Sequence, residues 1–419
     1  MNLFRPIHHT FGPHVDSAFL RRTLALSYAP WAYRKGSERT LLKRDLKERY
    51  GYDATLFASG RESLLALLRA FDLPAGSDVI VQGFTCVVVP NAIKAAGLRT
   101  VYADIDPETL NLTPETVAAV ASPRTRVVIC QHTFGIPAET HELKAHCDSN
   151  GWILIEDCAH VLPDRSGPDG ILRHADHAIC SFGRDKAVSG VGGGAALTRD
   201  AETSRRLMEL ESKAKEASLW SVIRLLEYPP RMAHLVRPLT GLKLAGPLLA
   251  PLKLLGLFAP VLTNDEKAGR MPFKLRRMPN ACASLARWQL GQLERINDHR
   301  RALTKRYLDA SGSKGWAVMR GVMPSLPLQK YPMFVGGGAR IRSALKQHNV
   351  HLDDGWTGCV VCPGACDASA AGYKAGSDPQ AENAARSVLS LPTHPTMTAT
   401  QADELVEFLD PLLRPQSQR

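Results

Sequence analysis

Several features are missing from this sequence, and each absence excludes something. Met1 to Val15 carry no long apolar core, so no secretory leader is expected there. There is no zinc-finger spacing and no basic repeat interleaved with aromatics, so nucleic acid is set aside as a partner despite a net charge of +11. No internal repeat is visible, which excludes a repeat architecture. The nine cysteines are scattered rather than arranged as a disulfide framework, and Cys130, Cys158 and Cys180 lie inside apolar runs. Reduced thiols in a cytoplasm fit that usage.

What is present is a globular composition, 44% hydrophobic and 22% charged, over 419 residues. That length suits one large domain and a smaller one. The basic balance, with a pI near 9.3, fits a polyanionic small molecule or an acidic membrane surface.

Short apolar runs alternate with helical periodicity through the first half. Strands are expected at 55–58, 78–81, 100–104, 126–130, 152–155 and 178–182, with a return strand at 195–198. Helices are expected at 15–27, 37–50, 63–71, 87–96, 114–120 and 140–149. This alternation predicts an open, helix-covered parallel sheet whose functional groups gather at the carboxyl ends of the strands. Ser59, the stretch Gly83 to Cys86, His132, Asp157 and Ser181 all fall at such ends. Ser59-Gly60-Arg61-Glu62 follows a strand and opens a helix, a combination that favours a phosphate, although an ordinary strand-to-helix turn reads the same way. Further on, a helix is expected at 280–297, a strand at 327–335, a helix at 337–348, an extended stretch at 350–356, a helix at 381–389 and a closing helix at 398–413.

The chemistry concentrates between Val128 and Thr198. Ile153-Leu154-Ile155 ends in Glu156-Asp157. Ala178 to Phe182 is followed by an isolated Lys186 and then a glycine cluster from Gly190 to Gly194. A carboxylate closing one buried strand, with a lysine just past its neighbour, suits pyridoxal phosphate. The acid can keep the ring nitrogen protonated and the amine can form a Schiff base.

These motifs resemble the DegT/DnrJ/StrS family of sugar aminotransferases, fold-type I enzymes that use pyridoxal 5'-phosphate. The resemblance rests on Ser59-Gly60-Arg61-Glu62-Ser63-Leu64, Asp104-Ile105-Asp106-Pro107, His132-Thr133-Phe134-Gly135, Ile155-Glu156-Asp157-Cys158-Ala159-His160, Ser181-Phe182-Gly183-Arg184-Asp185-Lys186 and Ser390-Leu391-Pro392-Thr393-His394-Pro395. It implies an α/β fold, with a large cofactor domain over 1–280, within which the hydrophobic insert at 211–275 is longer than the family pattern leads one to expect. A smaller C-terminal α/β domain would follow over 281–419. It implies Lys186 and Asp157 as the catalytic pair. His160 would face the cofactor ring, Ser181, Gly60 and Arg61 would lie around its phosphate, and Cys86 would stand where an aromatic residue often stacks. It also implies a homodimer that transfers an amino group, with glutamate as donor, to a nucleotide-linked keto sugar.

The sequence departs from the family pattern at three of these places. Arg61 replaces a small hydroxyl residue. Cys86 cannot stack as a ring does, so Phe84 is expected to help. Leu275 stands where an asparagine commonly reaches the partner subunit's phosphate site. These departures keep a non-catalytic binding or regulatory relative in play. A sugar dehydratase of the same family would carry a histidine where this chain has Lys186. Two further features lie outside the resemblance. Leu235 to Leu262 is rich in Leu, Pro and Ala but is broken by Pro247, Pro251 and lysines; it reads as helices covering the core or a subunit interface, or as a patch on a membrane surface. Cys359, Cys362 and Cys366 lie beside Asp353 and Asp354 without an evident fourth ligand, so free thiols are expected and no metal is assigned.

Overall fold

A computed structural model describes residues 6–164, 170–245, 248–249, 258, 260–271 and 274–413. The first strand, β1 (Ile7–His8), precedes the helices α1 (Ser17–Ser27) and α2 (Glu38–Tyr50). Then follow β2 (Asp53–Phe57), α3 (Gly60–Ala70), β3 (Asp78–Gln82), β4 (Thr85–Cys86), α4 (Val88–Ala95), β5 (Arg99–Ala103), β6 (Thr125–Gln131), β7 (Ile153–Asp157), β8 (His177–Ser181) and β9 (Gly194–Thr198). The seven long strands form one sheet in the order β2-β9-β8-β7-β6-β3-β5. Neighbours from β8 to β5 run parallel, whereas β9 runs antiparallel to both β8 and β2.

The sheet is apolar on both faces, as a parallel sheet covered by helices must be. Successive residues alternate sides. Val79, Val81, Val127, Ile129 and Ile155 pack with Leu64, Leu65, Leu67 and Leu68 of α3. Ile80, Val128 and Leu154 point the other way and pack with Leu143 and Cys147. Glu156 lies in this otherwise apolar strand and is fully satisfied. It accepts from the backbone amides of Leu172 and Ala175 and from His132 Nε2 at 3.1 Å, and His132 Nδ1 accepts from the amide of Ala138.

The second half departs from its periodicity in two places. The helix expected at 280–297 is two helices, Asn280–Leu290 and Leu293–Lys314. The amide of Gln292 bonds the carbonyl of Gln289, a tight turn that breaks the ladder before Leu293 restarts it. The helix expected to reach Leu389 stops at Ser387, because Val388 turns extended (φ −64°, ψ 130°) and opens a strand. That strand, Val388–Pro392, pairs antiparallel with β10 (Lys330–Phe334). The extended stretch at 350–356 holds only a two-residue strand, β11 (Val350–His351), which pairs with β1. β12 (Val361–Cys362) pairs with β4, matching Cys362 to Cys86.

The C-terminal elements share one core, in which Leu303, Leu345, Leu389 and Leu405 pack with Ile7 and also with Phe84, Ile105 and Phe134 from the strand ends of the main sheet. The ends of the main sheet therefore face this second core. The 211–275 region is partly anchored, since Arg237 donates to the carbonyls of Phe11, Val15 and Gly12. Leu242, Leu244 and Leu248 are exposed. Residues 246–247, 250–257 and 259 of the expected membrane-facing stretch lie outside the described residues. Among the described residues, no helix is long and apolar enough to cross a membrane.

Candidate active site

β9 sets the geometry. Its register places Gly194 opposite both Phe57 and Ser181, so the ends of β2 and β8 meet across one glycine. A Cβ at Gly194 would lie 2.5 Å from the amide nitrogen of Gly60, and a Cβ at Gly60 would lie 2.8 Å from Cβ of Ser181. Only glycine allows this approach. The Ser59 hydroxyl caps α3 by accepting from the amide of Glu62. The amides of Gly60 and Arg61 are then first-turn donors with no intrahelical acceptor, at the positive end of the helix dipole. The result is a cradle of two amides beside the Ser181 side chain, a donor set that fits a phosphate group.

Asp157 closes β7 and is buried. Its Oδ1 accepts from the amide of Ala159 at 2.9 Å. Burial raises its pKa, and the Ala159 amide, Lys186 and His132 pull the other way. A buried carboxylate in that state needs a cationic or N–H partner, which the protonated nitrogen of a pyridine ring supplies. Lys186 follows β8 past a turn in which its amide bonds the carbonyl of Gly183. Its backbone is fixed from three sides. His14 Nε2 donates to its carbonyl at 2.7 Å, Arg300 Nη2 reaches the same oxygen at 3.4 Å, and Gln329 Nε2 donates to the neighbouring carbonyl of Asp185. The glycine-rich return is held by Gln289, whose Oε1 accepts from the amide of Ser189 at 2.8 Å.

His160 faces this space with a neutral ring, since burial first, and the charges of Lys186 and Lys330 second, hold its pKa well below the usual value. Its Nδ1 accepts from the amide of Phe134, which leaves the proton on Nε2. The ring stacks on Phe134 at 15° and meets Trp356 edge-on at 5.2 Å. Phe84 packs edge-to-face on both Phe134 and Trp356. Behind them, Lys330 Nζ sits 5.6 Å from the Phe134 ring and pairs with the buried Asp354 at 3.1 Å. Burial alone would raise the Asp354 pKa, but Lys330, His9 and Ser390 outweigh it and the net shift is downward.

The structure therefore brings Lys186, Asp157, His160, Ser181 and Gly60 to one place, and their chemistry fits pyridoxal phosphate. Cys86 lies within the electrostatic reach of Lys186, Arg61 and Asp157, with its thiol pKa pushed up by burial. The Arg61 guanidinium is engaged elsewhere, since it pairs with Glu266 and donates to the carbonyl of Val261 at 2.8 Å. At the helix start, Arg61 offers its amide. Leu275 is buried in the core beneath the sheet, and its neighbour Arg276 accepts from Ala58 and pairs with Glu62. Phe84 packs against the aromatic wall rather than standing free as a stacking ring. The residues that sequence reasoning missed are His14, Gln289, Arg300, Gln329, Lys330 and Trp356. Each comes from a distant segment, and no local motif marks it.

A family model described as the DegT/DnrJ/EryC1/StrS aminotransferase family matches residues 15–233 and 263–410. A UDP-N-acetyl-3-dehydro-alpha-D-glucosamine 3-aminotransferase of Acidithiobacillus ferrooxidans is 32% identical over 156 residues, 37% of this chain and 42% of the relative. A dTDP-4-dehydro-2,3,6-trideoxy-D-glucose 4-aminotransferase of Saccharopolyspora spinosa is 30% identical over 184 residues, 42% of this chain and 48% of the relative. The chain thus spans less than half the length of these curated relatives. Among solved structures, DesI in the presence of its TDP-sugar product aligns with a TM-score of 0.71 at 22% identity, covering 98% of this chain and 93% of that one. NtdA from Bacillus subtilis with bound cofactor PMP aligns at 0.73 and 17% identity, covering 97% and 84%. These likenesses establish the fold.

Proposed function

The chain belongs to the DegT/DnrJ/EryC1/StrS aminotransferase family, and from that premise we propose that it transfers an amino group, with pyridoxal phosphate bound, from glutamate to a nucleotide-linked keto sugar. The observation that carries this reading is the convergence of Lys186, buried Asp157 and the neutral His160 ring beside the Gly60–Ser181 cradle. When bound, pyridoxal phosphate supplies a carbonyl carbon that exchanges oxygen for the donor's nitrogen, and a ring that takes up the charge left when a C–H proton departs. The protein does the rest. The amides of Gly60 and Arg61 and the Ser181 hydroxyl would hold the phosphate. Asp157 would keep a proton on the ring nitrogen. The Lys186 amine, its backbone fixed by His14 and Arg300, would carry the proton to and from the substrate carbon. His160 and the wall of Phe134, Phe84 and Trp356 would keep water from the ring face.

The net positive charge suits a diphosphate handle on the sugar. The curated relatives named above act on UDP- and dTDP-linked keto sugars, which supports that substrate class. Mass spectrometry of products after incubation with glutamate and a panel of nucleotide keto sugars tests the reading. An amino sugar with release of 2-oxoglutarate is expected, and loss of water from the sugar without nitrogen gain would overturn it.

The same proposal includes a cytoplasmic homodimer. Tyr28, Trp31, Leu219 and Trp220 are exposed, and α1 packs beside the helix Leu219–Leu226, which supports a second copy covering these residues. Light scattering of the purified chain checks the dimer, and flotation with anionic liposomes checks the alternative, membrane contact through 235–262.

A further inference from the structure

Cys359 and Cys362 remain outside the proposed transfer chemistry, yet their Sγ atoms lie 3.5 Å apart. A disulfide needs an S–S distance of about 2.0 Å, so closure takes a relative movement of about 1.5 Å. The two thiols are unequal. Cys359 is half-buried and Cys362 is buried. The hydrogen bond shared with Cys362 draws the Cys359 pKa down, while burial pushes the Cys362 pKa up. That is the division of labour between an attacking thiolate and a resolving thiol. Cys366 is nearby, but among the described residues these thiols do not converge within metal-ligand range. The geometry therefore favours a pair over a metal site.

The pair also touches the pocket wall at two points. Cys362 is matched in register to Cys86, and the carbonyls of Val360 and Cys362 accept from the amides of Thr85 and Val87. Sγ of Cys359 lies 3.5 Å from the carbonyl of Trp356, whose ring backs His160.

We propose that Cys359 and Cys362 form a redox-active dithiol that closes by exchange with a low-molecular-weight disulfide, and that closure displaces the pocket wall carrying Cys86 and Trp356. The Cys359 thiolate attacks the small disulfide, forming a mixed disulfide and releasing one small thiol, which takes the Cys359 proton. Cys362 then attacks the Cys359 sulfur, releasing the second small thiol with the Cys362 proton. The protein dithiol is oxidised by two electrons and the small disulfide is reduced to two thiols.

The test uses the full chain incubated with oxidised glutathione, then alkylated in denaturant and mapped by peptide mass spectrometry. Joint loss of alkylation at Cys359 and Cys362, with a directly linked peptide, is expected. Cys362→Ser should trap glutathione on Cys359, and Cys359→Ser should leave Cys362 alkylatable. Stable glutathione on Cys359 of the unmodified chain, or full alkylation of both thiols, overturns the proposal. In a second arm, oxidised and reduced protein are loaded with pyridoxal phosphate and desalted. Loss of retained cofactor in the oxidised form is expected, and equal retention overturns the link between the pair and the pocket.

Discussion

His14 Nε2 lies 2.7 Å from the carbonyl oxygen of Lys186, across 172 residues of sequence. A carbonyl only accepts, so Nε2 carries the proton, and burial holds the ring neutral with a pKa near 3. His14→Leu removes this anchor and is expected to lower kcat on the order of ten- to a hundredfold through misplacement of the Lys186 amine. His14→Gln, which keeps a donor, should recover most of the loss. Steady-state kinetics on both variants decide the matter, and a loss confined to KM would count against a positioning role.

Lys186→Ala and Asp157→Asn remove the two groups assigned to proton handling. Each is expected to reduce turnover by about 10²- to 10⁴-fold while the chain stays folded. Circular dichroism beside an assay for 2-oxoglutarate checks both halves of the statement.

Gly60→Ala places a methyl group 2.8 Å from Cβ of Ser181. Either α3 or β8 must give way. The expected cost is about 1–3 kcal/mol of stability, from overpacking, together with weaker retention of pyridoxal phosphate. Urea denaturation and equilibrium dialysis measure the two effects separately.

Arg61→Ala is expected to act differently. It strips the guanidinium from Glu266, which is only 5% exposed. Glu266 Oε2 keeps the amide and hydroxyl of Thr263, but Oε1 loses its partner at a cost of about 1–3 kcal/mol, and the cradle amides remain. Stability should fall while cofactor affinity holds, and the reverse pattern would return the Arg61 side chain to the phosphate.

Eight described histidines are held below their usual pKa, mainly by burial, and of these His8, His9, His14, His160 and His394 are shifted furthest, ahead of His177, His299 and His351. For His9 the folded value is about 4. As pH falls through about 6.5 the unfolded chain takes up protons that the folded chain refuses, so stability falls with pH across that window by about 1.4 kcal/mol per pH unit for each such histidine. Asp354 does not offset this. Its folded pKa is depressed, so its contribution is lost only in more acid solution. Urea midpoints measured from pH 7 to pH 4.5 give the slope, and His9→Gln should make it shallower.

The main sheet was legible because its strands are short β-branched runs punctuated by helices. Asp157, Ser181 and Gly60 were legible because strand ends are where such a sheet collects its chemistry. The Arg61 side chain was not legible, since its partner Glu266 lies 205 residues away. The break at Gly291 was hidden by leucines whose spacing continues across it; Leu285, Leu290 and Leu293 face one core from two helices. His14, Arg300 and Lys330 carry no local pattern at all, because long-range pairing placed them.

The strand Ile7–His8 and the residues after it close the molecule from its other end. His9 bonds the carbonyl of Ser390, and His8 stacks on His394 at 4.8 Å. During synthesis, β1 has no strand partner until Val350 has left the ribosome, and the contacts of His8 and His9 wait for residues 390–394. The backbone support of Lys186, which takes His14, Arg300 and Gln329, is likewise complete only once residue 329 has emerged. Nascent chains should pass through a stage with a formed sheet and an unfinished pocket, and premature cofactor capture should be disfavoured until the chain has closed on itself.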